Sequence, residues 1–246
     1  MDLFSEQENV LPFEVPDKQD YSWEWNEEFR GFDIKIPNGE LFYSEHFFDK
    51  KVSDRSIEYF LENDTNNWRT VNWTDVSGDR LSKVQFKNID WSHDKLMMYG
   101  KEVYLPRYSA WYGDSDKTYT YSGLTLQPKK WNKGLLFIKD KIDKVAKVHF
   151  NSVLMNWYRD GDDYINWHTD AEPELGKNPI IGSVNFGETR DFIIRKNDKS
   201  EKISIPLKHG TLLIMGGEMQ HFWQHSAPKR KKIKKARVNL TFRKIK

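Results

Sequence analysis

Two histidines and an aspartate in the second half of the chain have the types and spacing of a metal site. His168 and Asp170 are two positions apart. On a strand, residues i and i+2 point to the same face, so both side chains could reach one ion. A later histidine would complete a set of two imidazoles and one carboxylate, which is typical of non-haem iron(II) oxygenases. By spacing alone, His221 and His225 both remain candidates for that third ligand, and a His-x-Asp triplet without a metal is the competing interpretation.

Polar and apolar residues alternate near the end of the chain. The polar set is Arg237, Asn239, Thr241 and Arg243. On a strand these side chains would share one face, and the three apolar residues between them would share the other. Two buried arginines need anionic partners, because an unpaired buried charge is costly. A dicarboxylate such as 2-oxoglutarate would satisfy both through charge-assisted hydrogen bonds. The alternatives are an exposed basic strand, or arginines paired with acidic residues of a neighbouring strand.

Asn156 and Tyr158 show the same two-residue spacing in an earlier apolar run. On a strand they would share a face, and both the amide and the phenol can donate hydrogen bonds to a carboxylate. They are therefore candidates for the same anion site. The alternative is an ordinary hairpin edge without a ligand.

Short apolar runs fill the chain from His149 onward, and Gly, Asn, Asp or Pro separate most of them. The predicted strands are 152–158, 180–186, 191–195, 203–207, 211–215 and 237–243. Many short strands at close spacing favour a β-sandwich or a barrel. These are the elements that must position the polar residues.

The first half of the chain predicts fewer regular elements. A strand is expected at 39–43, a helix from Ser53 to Asn63 with Ser53 as its N-cap, and a second helix at 131–145. Alternating polar and aromatic residues with turn signals favour hairpins over 66–106. Residues 1–34 are polar, acidic and irregular, so we expect a partly disordered extension before a single domain at 35–246.

Composition limits the classes of protein and of site. The 246 residues include no cysteine, which excludes disulfides and thiolate metal sites, and any metal must be held by His, Asp or Glu. No apolar run approaches the roughly 20 residues of a membrane span. The acidic start lacks the features of a secretory signal, so an intracellular protein is expected, in the nucleus or the cytoplasm. The net charge of +2 is nearly balanced, but residues 229–235 include six basic side chains.

Several of these stretches, in this order and spacing, resemble the AlkB dioxygenases. The motifs are NWYRDGDDYINWHTD (156–170), GSVNFGETRDF (182–192), WQHSAPK (223–229) and RVNLTFR (237–243). The similarity extends over about residues 36–246, and YGDSDKTYTYSGLTLQPKKW (112–131) matches the homologues that repair alkylated DNA directly. The resemblance implies an α+β, mainly β fold with a double-stranded β-helix (jelly-roll) core, N-terminal helices and nucleotide-recognition hairpins. The recognition lid would span about 90–125 and the core about 149–246.

The resemblance also implies the roles of the polar residues. His168, Asp170 and His225 would bind iron(II), with His225 preferred to His221 because it matches the WQH motif. The 2-oxoglutarate site would be formed by Asn156, Tyr158, Arg237, Asn239, Thr241 and Arg243. The implied reaction consumes O2 and 2-oxoglutarate and removes alkyl groups from bases such as 1-methyladenine and 3-methylcytosine, with succinate, CO2 and an aldehyde as products.

Substrate contacts are expected from the lid and from one carboxylate. Tyr119, Tyr121 and Ser122 match positions that border the extruded base in similar proteins, and aromatic walls can stack such a base. Glu172 matches a carboxylate near the exocyclic amine of the base, and it would favour cationic lesions. The alternative for the two tyrosines is packing in a core.

Met98 and Tyr99 occupy an apolar hairpin tip, where relatives that act on duplexes carry a pair of residues that fills the space left by the extruded base. A hairpin folded over the core is the competing explanation. The basic run at 229–235 lies between His225 and the arginine strand, so it is expected near the mouth of the site, where it could hold phosphates. A solvated loop and a nuclear-localisation signal are the alternatives.

The expected partner is alkylated DNA. The protein is expected to be a monomer that does not associate with a membrane. Two other functions stay open on the sequence. One is demethylation of RNA by the same chemistry, and the other is a catalytically silent jelly-roll module that binds nucleic acid. An intact set of His168, Asp170 and His225 argues against the silent module, which has no need of all three.

Overall fold

The computed structural model describes residues 10–65, 67, 70–98, 101–117, 119–121 and 124–246. The strands, β1 to β16 in chain order, are Ser22–Asn26, Gly31–Ile36, Gly39–Ser44, Lys95–Met98, Lys101–Tyr104, Tyr108–Gly113, Tyr119–Tyr121, Leu124–Leu126, Ser152–Tyr158, Ile165–His168, Ile181–Gly187, Arg190–Lys196, Lys202–Leu207, Leu212–Gly216, Trp223–Ala227 and Arg237–Arg243. The helices, α1 to α4, are Lys50–Leu61, Gly78–Leu81, Lys133–Ala146 and Met219–Phe222. Two short 3-10 turns lie at Trp73–Asp75 and Pro173–Leu175.

Two antiparallel sheets form the jelly-roll core. The larger has eight strands in the order β1-β2-β3-β14-β11-β16-β9-β6, and the smaller has four in the order β10-β15-β12-β13. Side chains of both sheets, such as Met215 on β14 and Ile205 on β13, belong to one apolar cluster. The sheets therefore pack face to face, as in sandwich folds.

The last strand shows how the alternation of its sequence divides the molecule. Val238, Leu240 and Phe242 point away from the small sheet and join a second apolar cluster with residues of α1 and α3. The polar residues of β16 point the other way, into the space between the sheets. The whole strand is buried, which rules out an exposed basic strand.

Helices α1 and α3 cover the outer face of the large sheet. Helix α3 buries Leu135, Ile138 and Ile142, which recur at helical spacing along one face. Helix α1 begins earlier than predicted, because Asp49 is its N-cap and accepts the N–H of Val52 at 2.8 Å. The prediction of Ser53 as the cap was wrong, since its hydroxyl instead donates to the carbonyl of Phe48.

Other parts of the first half differ from the predicted elements. Among the described residues of 66–106, β4 and β5 form the one hairpin, and the turn signal at 77–79 leads into the short helix α2. Strands β1 and β2 lie within or across the predicted extension and are paired into the large sheet, which an irregular polar sequence did not indicate. Along the described part of the chain, the helices are all too short or too polar to cross a membrane.

Candidate metal centre and anion slot

His168 and His225 face each other across two strands of the small sheet. His168 ends β10 and is paired directly with His225 on β15. Their ring centroids are 4.2 Å apart, and Oδ2 of Asp170 lies 3.8 Å from Nε2 of His225. One possible ligand atom of each of the three residues lies within 4.8 Å of the others. The fold thus brings together donors from two separated segments so that one ion could contact all three.

Asp170 is positioned by groups outside the strand that carries His168. The spacing of His168 and Asp170 suggested that both lie on one strand. In the structure β10 ends at His168, so Asp170 lies just past the strand. Its backbone N–H donates to Oε1 of Gln220 on α4 at 2.9 Å. Its carboxylate accepts a hydrogen bond from Nη2 of Arg243 at 2.7 Å. Both groups are buried, so this is an ion pair shielded from water.

The protonation states of these residues suit a divalent cation. Burial lowers the pKa of His225 to about 3 and also lowers the pKa of His168, so both imidazoles are neutral at pH 7. Burial alone would raise the pKa of Asp170, but Arg243 and the two histidines outweigh it and bring the pKa to about 2. His168 donates through Nδ1 to the carbonyl of Asn166 at 2.8 Å, which leaves Nε2 as an acceptor. Two neutral imidazoles and one carboxylate match the ligands that iron(II) takes in this class of site.

His221, the rival third ligand, lies outside this cluster. It is on α4, exposed, and its Nε2 contacts the carbonyl of Lys177 and the side chain of Asn178. Among the residues that the structure describes, His168, Asp170 and His225 are the one group of this kind. The geometry therefore favours His225.

A slot between the two sheets opens beside the three residues. The polar residues that line it are Asn156, Tyr158, Ser183, Arg237, Asn239, Thr241 and Arg243. The apolar residues that line it are Leu154, Ile165, Phe192, Met215 and Ala227. Phe192 also stacks on the imidazole of His225, with centroids 5.2 Å apart at 29°. Donors from the polar residues would bind a small anion in the slot, and the apolar residues would shield it from water.

Arg237 is the arginine of the slot that has no carboxylate partner among the described residues, whereas Arg243 is paired with Asp170. Its Nη2 donates to Oδ1 of Asn185, while Nε and Nη1 are buried without a hydrogen-bond partner among the described residues. Its guanidinium carbon lies 4.9 Å from the ring centroid of Tyr158. Burial lowers the pKa of Arg237 to about 10, so it stays cationic at neutral pH. A buried cation with two unused donors fits a carboxylate ligand.

A ladder of hydrogen bonds orders the remaining polar side chains. The hydroxyl of Thr241 donates to Oδ1 of Asn239 at 3.1 Å, and Nδ2 of Asn239 donates to Oγ of Ser183 at 2.9 Å. On the neighbouring strand, Oδ1 of Asn156 accepts from Nε of Arg107 at 2.8 Å. Because the amide oxygen of Asn156 accepts this hydrogen bond, its amide nitrogen is the group that can donate to a ligand.

The predicted base-binding residues are only partly described. The backbone of Met98, Tyr119 and Tyr121 lies in strands of the two hairpins β4–β5 and β7–β8. Tyr99 and Ser122 lie outside the described residues. Glu172 precedes the 3-10 turn at Pro173–Leu175, and its Oε2 is buried without a partner in the described part of the chain.

The basic segment, residues 229–235, lies against the loop that leads into β10. The N–H of Gly161 donates to the carbonyl of Ile233 at 3.0 Å, and the N–H of Arg230 donates to the carbonyl of Gly161 at 2.7 Å. A Cβ atom at Gly161 would lie 1.8 Å from the carbonyl oxygen of Arg230, so only glycine allows this approach. Lys231, Lys232 and the other lysines of the segment are exposed.

Several residues of the site were not anticipated from the sequence. Ser183 and Asn185 alternate with apolar residues on β11, and that pattern could have identified them. Gln220 and Arg107 carry no such signal, because they reach the site from a short helix and from a residue just before β6. Arg190 is buried and donates to backbone carbonyls of the loop before β10 and of Pro228, a role that its sequence context does not reveal.

The chain matches one family model and several known proteins. The model of the 2OG-Fe(II) oxygenase superfamily matches residues 66–243, which include every residue of the metal cluster and the slot. The DNA oxidative demethylase ALKBH2 of Homo sapiens is 45% identical over 159 residues, which cover 61% of this chain and 61% of that protein.

Other relatives are matched over similar lengths. The Alpha-ketoglutarate-dependent dioxygenase alkB homolog 3 of Bos taurus is 45% identical over 150 residues, covering 57% of this chain and 52% of that protein. The matches thus span about half to three fifths of these relatives. A solved structure, of OsALKBH1, covers 91% of this chain at 15% identity with a TM-score of 0.49, a likeness too weak to support a conclusion.

Proposed function

This chain belongs to the 2OG-Fe(II) oxygenase superfamily and, within it, to the AlkB family, and we propose that it removes alkyl groups from bases of DNA. One observation carries the proposal: His168, Asp170 and His225 converge beside a slot whose buried Arg237 has unused donors. An iron(II) site and an anion site side by side are what this chemistry requires. The relatives named for DNA demethylation support the substrate class.

In this proposal, His168, Asp170 and His225 would hold the ferrous ion. A bound ferrous ion would supply the oxidative chemistry in which O2 and 2-oxoglutarate are consumed, the alkyl carbon is oxidised, succinate and CO2 are formed, and the alkyl group leaves as an aldehyde. The protein supplies the positions of the reactants and a closed environment.

The two arginines of the slot have different roles in this proposal. Arg243 is committed to Asp170, so it holds that carboxylate in place at the end of the slot near the metal cluster. Arg237 has unused donors and no carboxylate partner among the described residues, and we assign to it the distal carboxylate of the cosubstrate, with Tyr158 beside it. Asn156, Asn239 and Thr241 line the slot between these ends and orient the ligand.

The substrate contacts remain those that the sequence suggested. Tyr119, Tyr121 and Ser122 would border the extruded base, and Glu172 would favour a cationic lesion. Met98 and Tyr99 would fill the gap in a duplex. The basic segment would contact phosphates, which is supported by its exposed lysines and by its contact with the loop before His168.

The test is a reaction with defined substrates. The protein is loaded with iron(II) without oxygen, and then air, 2-oxoglutarate and an oligonucleotide with one 1-methyladenine are added. Equal amounts of succinate and formaldehyde, with adenine restored, are expected. The Asp170→Asn variant should give neither product, while Asp198→Asn, in an exposed turn between β12 and β13, should match the unchanged protein. No product from DNA would contradict the proposal, and product from RNA alone would favour the RNA demethylase.

A further inference from the structure

A stack of three rings lies at the root of the β4–β5 hairpin. The imidazole of His93 is sandwiched between the rings of Tyr104 and Tyr108, with centroid distances of 4.5 and 4.3 Å and interplanar angles of 26° and 21°. Nε2 of His93 also contacts the carbonyl of Leu105 at 2.9 Å, which fixes the orientation of the imidazole. The three rings therefore form one ordered, nearly parallel column.

The two ends of this column differ in their surroundings. Tyr108 is buried and packs on Trp157, with centroids 5.1 Å apart. Tyr104 is 54% exposed, although it is a large aromatic residue. The column is thus anchored in the core at one end, while its other end presents a rigid aromatic ring to solvent.

A cation lies next to the exposed end. Nζ of Lys95 is 5.0 Å from the centroid of the Tyr104 ring and 2.8 Å from a carboxylate oxygen of Glu102. Both side chains of this ion pair are more than two fifths exposed, and exposed pairs contribute little to stability. A planar ligand that stacks on Tyr104 can therefore displace the ammonium group, which is then free to contact a phosphate of the same ligand.

The column is linked to the cosubstrate slot and to the basic segment. Arg107, which precedes Tyr108, donates to Asn156 in the slot. The carbonyl of Pro106 accepts the N–H of Tyr164 at 3.0 Å, and the ring of Tyr164 lies 4.9 Å from Nζ of Lys229 at the start of the basic segment. The exposed ring thus lies on a segment that contacts the slot through Arg107 and is linked to the basic segment through Tyr164.

We propose that Tyr104 is a stacking platform for a nucleobase of the substrate other than the base that carries the alkyl group. The inference rests on the proposed function, since it assumes a nucleic-acid substrate. A flat aromatic face accepts any base, and neighbouring lysines meet the phosphates, as in proteins that bind single strands without sequence preference. The platform would hold the strand beside the lesion and contribute affinity that does not depend on the alkyl group.

The experiment uses 2-aminopurine, a fluorescent base whose emission falls when it stacks. Oligonucleotides carry one 1-methyladenine and a single 2-aminopurine at successive positions on either side of it. The complete chain should quench the emission at one or two of these positions. Tyr104→Ala and Tyr104→Leu should lose this quenching and bind roughly tenfold more weakly. Tyr104→Phe, which keeps the ring, should behave like the unchanged protein.

The matched control is Trp23→Ala. Trp23 is 46% exposed and lies on β1, at the edge of the large sheet opposite β6. Its removal should change neither quenching nor affinity. Quenching by Tyr104→Ala or Tyr104→Leu equal to that of the unchanged protein would overturn the platform, even if dealkylation proceeds normally. Quenching that depends on Tyr104, without formation of succinate or formaldehyde, would instead overturn the proposed reaction and support the platform.

Discussion

Arg243 donates to the carboxylate of Asp170 at 2.7 Å, and both groups are buried. The arginine at the end of the last strand therefore stabilises the ionised form of the proposed metal ligand. The same contact separates the roles of the two arginines of β16, because Arg237, at the other end of the strand, has no carboxylate partner among the described residues. The polar face of one strand thus serves both the proposed metal and the proposed cosubstrate.

Arg237→Lys should weaken binding of 2-oxoglutarate. Lysine keeps the charge but cannot form the paired hydrogen bonds of a guanidinium, so the KM for 2-oxoglutarate should rise roughly 10- to 100-fold. Affinity for iron(II), measured by anaerobic titration, should stay unchanged. Arg55→Lys, in an exposed ion pair on α1, is the control. An unchanged KM in Arg237→Lys would show that another residue binds the distal carboxylate.

Gln220→Leu should lower the affinity for iron(II) and leave the affinity for 2-oxoglutarate unchanged. The backbone N–H of Asp170 would lose its acceptor, and groups that orient a ligand typically contribute about 10- to 100-fold to metal affinity. The dissociation constant of iron(II), followed by anaerobic titration of the tryptophan fluorescence, is the measurement. Gln224→Leu is the matched control, because that amide binds Arg195 and not Asp170. Equal affinities in the two variants would argue against a positioning role for Gln220.

Lys231→Ala combined with Lys232→Ala should lower the salt dependence of DNA binding. If both lysines contact phosphates, the slope of log affinity against log salt concentration should become less steep by about 2. Fluorescence anisotropy of a labelled duplex at several salt concentrations gives the slope. The pair Lys50→Ala and Lys51→Ala on α1 is expected to leave it unchanged. A slope that the basic segment does not affect would identify that segment as a solvated loop.

Glu201 should make stability depend on pH. The hydrogen bond from Lys18, followed by that from Tyr21, lowers the pKa of Glu201 to about 2 from an ordinary 4.5. Because the folded-state pKa is lowered, the stabilisation is complete above pH 4.5 and is lost as the pH falls towards 2. Glu201→Gln should lower the free energy of unfolding at pH 7 by about 1 kcal/mol, since solvent screens the exposed Lys18.

Urea unfolding between pH 7 and 3 would measure this effect, and the difference between the two proteins should shrink across that range. Adding Lys18→Met to Glu201→Gln should cost little more, because the pair has already been broken. A constant difference at every pH would mean that Glu201 does not titrate as described.

Periodicity in the sequence predicted the strands of the core well. In Arg237–Arg243 and Ser152–Tyr158, the alternation of residue types reflects the two different faces of a buried strand. Both strands have the predicted limits. The strand Trp223–Ala227 was not predicted, because it is short and shows no clear alternation. Its position still brings His225 opposite His168, since pairing between strands distant in sequence decides that contact.

Contacts made by loops and short helices could not be predicted. The hydrogen bond from Asp170 to Gln220 depends on how α4 packs. The two residues are 50 positions apart in the sequence, so no local pattern predicts this contact. The alternation of aromatic and polar residues predicted hairpins over 66–106. In the structure Trp73 instead packs on Trp157 of β9, so the tertiary core and not the local period decides its conformation.

Anaerobic titration with iron(II) tests the central claim most directly. The proteins compared are the unchanged chain and its single-alanine variants at His168, Asp170, His225 and His221. The unchanged protein and His221→Ala should each bind one equivalent of iron(II). His168→Ala, Asp170→Ala and His225→Ala should each lose that binding while keeping the circular dichroism spectrum of the folded chain. Retention of one tightly bound iron by any of these three variants, or its loss in His221→Ala alone, would contradict the account.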